Sequence, residues 1–243
     1  MHRTAAGWSA VASPTKVDLT AVWGSGADDV WFGGFQVLLH WDGSALSAMQ
    51  GLPQGASALH GTGAADVWAI SASSPVHWDG KGFQPSNQVA SQGIFAAGPS
   101  DVWVGAFADS TTMGHLDAQG WSKSTAKACL SLSGTGSKDV WCAGGINLRS
   151  SVSHWDGAAW TVVPTSAGAD LLAVASSGAA AIWYVGQAGV LGSCTPLACT
   201  GYDLNGQPSK RSFVVDDLTG VASAGGALYA VGKRGVILHR RAR

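Results

Sequence analysis

Asp29-Val30-Trp31, followed by His40-Trp41-Asp42-Gly43, is the stretch that most constrains this chain, because the same pair of signatures keeps returning. Asp-Val-Trp recurs at Asp66-Val67-Trp68, Asp101-Val102-Trp103 and Asp139-Val140-Trp141, then decays to Ala181-Ile182-Trp183 and Ala227-Leu228-Tyr229. The intervals between successive tryptophans are 37, 35, 38 and 42 residues. The second signature returns at His77-Trp78-Asp79-Gly80, His115-Leu116-Asp117 and His154-Trp155-Asp156-Gly157, with a remnant at His239. A period near 40 residues marks stacked supersecondary units, none of which buries its apolar surface alone.

Within the first unit, apolar runs Leu19 to Trp23, Asp29 to Phe32, Val37 to Trp41 and Ala45 to Met49 are separated by Gly/Asp turn signals. This reads as four short strands in a meander. Val30, Trp31 and Phe32 are consecutive and large. Both faces of that strand must therefore be covered, as they are when sheets stack face to face. First strands starting at Leu19, Ala58, Ile94, Leu130, Leu171 and Leu218 give six units. The expected fold is all-β, a six-bladed β-propeller of four-stranded antiparallel blades. Its blades span about 18–50, 51–88, 89–126, 127–166, 167–212 and 213–241, in a single domain over residues 1–243. The last unit has no fourth strand of its own, whereas Gly7-Trp8-Ser9-Ala10-Val11 resembles the blade-ending Ala159-Trp160-Thr161-Val162-Val163. The ring is thus expected to close by pairing residues 7–13 with the last blade, which removes two sheet edges.

These motifs resemble the repeats of bacterial propellers loosely grouped with the Asp-box (sialidase-like) and kelch-like families. The resemblance runs over nearly the whole chain and implies architecture, not activity, since such propellers include lectins, assembly factors, enzymes and scaffolds. The Asp-box pattern proper, Ser-x-Asp-x-Gly-x-Thr-Trp, is not matched, so no sialidase residues are carried over.

Net charge is -1 with no basic or acidic block, which gives no footprint for nucleic acid or an anionic membrane. No apolar run reaches the roughly 18–20 residues of a membrane span. Cys194 with Cys199 and Cys129 with Cys142 suggest two local disulfides, although four cysteines permit three connectivities and free buried thiols are the alternative. Disulfides place the chain outside the cell or at its envelope.

A residue that returns in every unit serves the unit, and one found once needs another reason. The periodic tryptophans are therefore assigned to packing between blades, and the periodic histidines to structural hydrogen bonds with a neighbouring turn. Metal ligation by a ring of histidines is excluded by the spacing of equivalent strands. Each Asp-Gly serves a hairpin turn. The exceptions define the candidate site. Asp18, Asp170 and Asp217 precede equivalent first strands and form an acidic group with Arg149 and Lys233 on the adjoining loops, able to bind a ligand or Ca²⁺. Trp23 and His60 are expected side by side at the opposite strand ends. Glutamate is absent, and no nucleophile elbow, phosphate loop or metal spacing is present. The expected function is a non-catalytic binding module for a glycan or an exposed protein segment. An enzyme working at the axial channel, with no cofactor, and a purely structural repeat domain are the alternatives.

Overall fold

The computed structural model describes residues 2–4, 7–86, 88, 92–105, 112–125, 129–144, 150–178, 181–202, 216–224 and 226–240. These build six repeated antiparallel sheets, five four-stranded and one three-stranded, beside a short N-terminal hairpin. The fold is a six-bladed all-β propeller. The first strands are Leu19–Gly26, Ala58–Gly63, Ile94–Gly98, Ser131–Gly136, Leu171–Gly178 and Leu218–Ala224. They begin where the repeats predict to within one residue. Among the described residues there is no α-helix, and no helix long and apolar enough to cross a membrane.

By internal contacts the chain forms two compact units, Met1–Asn87 with the first two sheets and Gln88–Arg243 with the other four. Inside each unit, first strands of successive sheets lie against one another. The core between sheets one and two holds Trp31, Leu38, Leu59, Val67 and Ala69. That between sheets three and four holds Phe95, Trp103, Met113, Leu132 and Val140.

The tryptophans do what their periodicity predicts. Trp31 on the second strand of sheet one packs 5.6 Å from Trp78 and 6.3 Å from Phe83, both of sheet two. Trp103 of sheet three lies 5.2 Å from each of Trp155 and Trp160 of sheet four. The Asp of each third-to-fourth-strand turn caps that turn: Asp42 accepts backbone N–H groups from Ser44 and Ala45, Asp79 from Lys81 and Gly82, and Asp156 from Ala158 and Ala159. The glycines that follow, Gly43, Gly80 and Gly157, have φ of 90°, 86° and 95°, which an L side chain resists.

One expectation is corrected. Among the described residues Gly7–Ser9 pairs with His2–Thr4, with Trp8 opposite Arg3, and with no strand of the last blade. The last sheet keeps three strands among the described residues. Pairing with a segment a few residues upstream closes a far shorter loop than pairing with a strand near the other terminus, and loop closure costs less for the shorter loop.

Candidate functional site

The periodic histidines are structural, but their partner is a carboxylate rather than a turn. His40 Nε2 lies 2.7 Å from Asp29 Oδ1, and the pairs His77–Asp66, His115–Asp101 and His154–Asp139 repeat this at 2.6, 2.9 and 2.8 Å. Each imidazole also packs against the tryptophan two residues beyond its aspartate, with centroids 4.4, 4.4, 3.7 and 4.2 Å apart. In sheets one and four the indole Nε1 donates to the same carboxylate, at 3.0 and 2.9 Å. Ser25, Thr62 and Thr135 donate to the second oxygen in sheets one, two and four. Burial raises the pKa of Asp29, yet donation from Ser25, His40 and Trp31 outweighs it and the carboxyl ends below its ordinary value. The sequence showed Asp, His and Trp recurring together. What it hid was that cross-strand register brings all three to one point: Trp31 faces His40, and Trp141 faces His154.

Antiparallel pairing sets the start of every first strand beside the turn that follows the second strand. Leu19 pairs with Gly34, Leu171 with Gly186 and Leu218 with Gly232. Asp18, Asp170 and Asp217 hold the same place, since the carbonyl of each lies against Gly34, Gly186 or Gly232 so closely that none of the three leaves room for a β-carbon. The turns correspond only in part, since two residues separate Gly34 from Val37 whereas three separate Gly186 from Val190 and Gly232 from Val236. Their second residues, Gln36, Ala188 and Arg234, are all left-handed, at φ 56°, 51° and 56°.

In the second unit this end is a knit of charges and backbone. Asp217 Oδ2 receives Lys233 Nζ at 2.7 Å, and Oδ1 receives the Ala188 N–H at 3.0 Å. Lys233 first, then Ala188, holds the Asp217 carboxyl below its usual range. Arg234 Nε pairs with Asp216 at 3.3 Å. Gln187 N–H donates to the Asp170 carbonyl at 3.0 Å. Two of the proposed ligand groups, Asp217 and Lys233, are thus spent on each other, and Asp217 ties the turn of sheet five to the entry of sheet six. Sequence reasoning set Arg234 beside Lys233 on the loop of the last blade but missed its partner Asp216, although the adjacency of Asp216 to Asp217 was visible.

In the first unit Asp18 is exposed and has no hydrogen-bond or ion-pair partner among the described residues. Trp23 and His60 do come together, with centroids 6.2 Å apart and the indole lying across Gly61. Burial lowers the His60 pKa to about 4, against a smaller opposing pull from Asp66. Arg149 lies outside the described residues, as do Asp109 and Asn147. Among the described residues no three His, Cys or Asp groups gather as a metal site. The disulfides are Cys129–Cys142 and Cys194–Cys199, the two local pairings. The second clamps the turn that replaces Asp-Gly in sheet five.

No family model matches the chain, and no curated protein matches it. Solved structures do resemble it. YCF48 from Cyanidioschyzon merolae is 16% identical with a TM-score of 0.67, over 93% of this chain and 83% of that one. A YCF48 bound to D1 peptide is 13% identical with a TM-score of 0.68, over 94% and 79%. Virginiamycin B lyase from Staphylococcus aureus, in a catalytically inactive form with quinupristin, is 12% identical with a TM-score of 0.69, over 95% and 86%. Fold and repeats together define the chain as a repeat β-propeller. At these identities the likeness is one of fold.

Proposed function

We propose that this propeller is a non-catalytic recognition module that engages an exposed protein segment through the strand-entry end of its sheets. The carrying observation is a division of labour along the strands. Residues that repeat, the Asp–His–Trp groups and the Asp-Gly turns, are consumed in holding the sheets. Residues that break the repeat collect at the other strand ends, as Asp18 and Phe35 in the first unit and Asp170, Asp216, Asp217, Lys233 and Arg234 in the second. Loops on a rigid repeat scaffold are where binding groups reside. Phe35 is 70% exposed on one such turn, and aromatic side chains are enriched at protein interfaces. That a YCF48 of the same fold is seen bound to D1 peptide supports a peptide ligand for this architecture.

The glycan alternative rests on the carboxylates, and a Ca²⁺ ion at Asp18, Asp170 or Asp217 belongs with it. The pairing of Asp217 with Lys233 lowers the appeal of both. The two disulfides favour an oxidising location, outside the cell or at its envelope. The test is affinity capture from cell-surface and secreted protein fractions with the wild-type chain and with an Asp170→Ala plus Asp217→Ala variant, beside a glycan array with and without Ca²⁺. Protein capture that the double variant weakens supports the reading. Glycan hits with no protein capture would remove it.

A further inference from the structure

Sheet six stops one strand short of the other five. Its third strand, Ile237–Arg240, pairs with Ala227–Gly232 on one side and with no described strand on the other. The other sheets show how such an edge is covered. In sheet one Met49 N–H donates to the Leu38 carbonyl, and in sheet two Ser86 N–H donates to the Pro75 carbonyl. His40 lies opposite Trp31 as His239 lies opposite Tyr229, so Ile237, two residues before His239, stands where Leu38 does. Main-chain groups alternate in direction along a strand, and those of Ile237 and His239 therefore face the open edge.

Fourth strands also complete the packing between sheets. Phe83, directly across from Trp78, joins it on Trp31 of sheet one, at 6.3 and 5.6 Å. Trp160, across from Trp155, joins it on Trp103 of sheet three, both at 5.2 Å. In sheet five the same cross-strand pair is Cys194 and Cys199, packed in one core with Trp141 of sheet four. The equivalent tryptophan of sheet five is Trp183, and what sheet six lays on it is Arg240, 5.1 Å from the ring centroid. Arg240 follows His239 as Trp78 follows His77 and Trp155 follows His154. No described residue stands across from it on the open side. Trp31, Trp103 and Trp141 are buried, whereas Trp183 is partly exposed even with Tyr202 of its own sheet at 5.2 Å.

The edge carries positive charge. Residues 218–243 include no Asp or Glu, and Arg241 and Arg243 follow Arg240 in the sequence. Lys233 and Arg234 are already paired with Asp217 and Asp216, but Arg240 has no carboxylate among the described residues.

We propose that this edge binds an extended, acidic segment of a partner protein, which adds to sheet six as its fourth strand. Main-chain hydrogen bonds to Ile237 and His239 hold it, and one aromatic side chain, placed across from Arg240, covers Trp183. Acidic residues of the segment meet the arginines at the end of the strand. This surface runs along the third strand and not over the strand-entry turns, so it stands apart from the recognition reading above and its failure leaves that reading in place.

The experiment uses a fluorescein-labelled peptide of residues 156–163, which carries the fourth strand of sheet four, with two aspartates added at each end. Its binding to the full chain is followed by fluorescence anisotropy and by amide hydrogen exchange. Saturable binding is expected, with slowed exchange at Ile237 and His239. Replacing the peptide's tryptophan by alanine weakens it about tenfold, and Arg240→Glu does the same while flattening the salt dependence. Ile237→Pro removes one N–H from an exposed position on an edge strand, where proline is tolerated, and weakens binding as much or more. Unchanged thermal unfolding of both variants separates these losses from misfolding. No saturable binding, or binding that Ile237→Pro and the tryptophan replacement leave unchanged, would overturn the proposal. So would edge amides that exchange slowly before any peptide is added, since the strand is then already covered by this chain or by a second copy, which light scattering tells apart.

Discussion

Asp29 carries four jobs on two oxygens: it accepts from Ser25 at 2.5 Å, from the Trp31 indole at 3.0 Å and from His40 at 2.7 Å, and it opens the second strand. Asn at this position keeps the shape but cannot accept from three donors at once. Asp29→Asn is expected to lower the unfolding free energy by about 1.5–3 kcal/mol, read by urea denaturation at neutral pH, as for hydrogen bonds to a charged group. The sign with pH follows from the lowered pKa. The unfolded carboxyl, near 3.8, binds its proton before the folded one does. The contribution is therefore complete above about pH 3.8 and is lost as pH falls through the lower folded value. Wild type and Asp29→Asn should converge in stability below that window. Sheets five and six have Ala181 and Ala227 at this place, and their aromatics find other neighbours. Trp183 lies 5.2 Å from Tyr202 and beneath Arg240 at 5.1 Å, and Tyr229 stacks on His239 at 4.4 Å.

At the scale of strands, the same repeat position differs in worth according to what covers it. Trp103 is buried between sheets three and four, whereas Tyr229, its counterpart in sheet six, is 42% exposed. Trp103→Ala should cost about 3–5 kcal/mol in chemical denaturation, and Tyr229→Ala clearly less. His60 gives a second prediction of this kind. Its pKa falls from 6.5 to about 4 because the first strand of sheet two places it under Trp23, where burial disfavours the charged ring. The unfolded chain takes up this proton first on acidification. Stability is then fully present above about pH 6.5 and declines as pH falls toward 4. A His60→Gln variant should flatten the slope of melting temperature between pH 6.5 and 4, and an unchanged slope would refute the assignment. The sequence marked His60 as unusual, because other sheets have Trp, Ala, Ser or Val there. It did not reveal the sign of the shift, which depends on how tightly Trp23 packs across Gly61.

For the molecule, the disulfides are the only covalent ties beyond the backbone, and their depths differ. Cys129 and Cys142 are both buried between sheets three and four, whereas in the second disulfide Cys194 is buried but Cys199 is partly exposed, on a turn whose Leu197 is open to water. Mild reductant should open Cys194–Cys199 in the folded chain and spare Cys129–Cys142, read by alkylation and mass spectrometry. Replacing Cys129 and Cys142 together by Ala should lower stability by about 3 kcal/mol, as expected for a loop of this separation, and the shorter loop should matter less. The number of sheets, the start of each first strand, the Asp-Gly turns and the roles of the tryptophans were legible in the sequence, because each is a local pattern written several times. Contacts that join distant or unrepeated residues were not. Trp8 matches a blade-ending strand in sequence, yet pairs with Arg3, because two segments compete for it and the nearer closes the smaller loop. Asp18, Asp170 and Asp217 look alike along the chain, but Asp217 is engaged by Lys233 and Asp18 has no such ion pair among the described residues. Periodicity determined the fold because hairpins form between neighbours in sequence. Tertiary structure decided that Asp217 is taken up in an ion pair, because that depends on the side chain that the facing turn sets beside it.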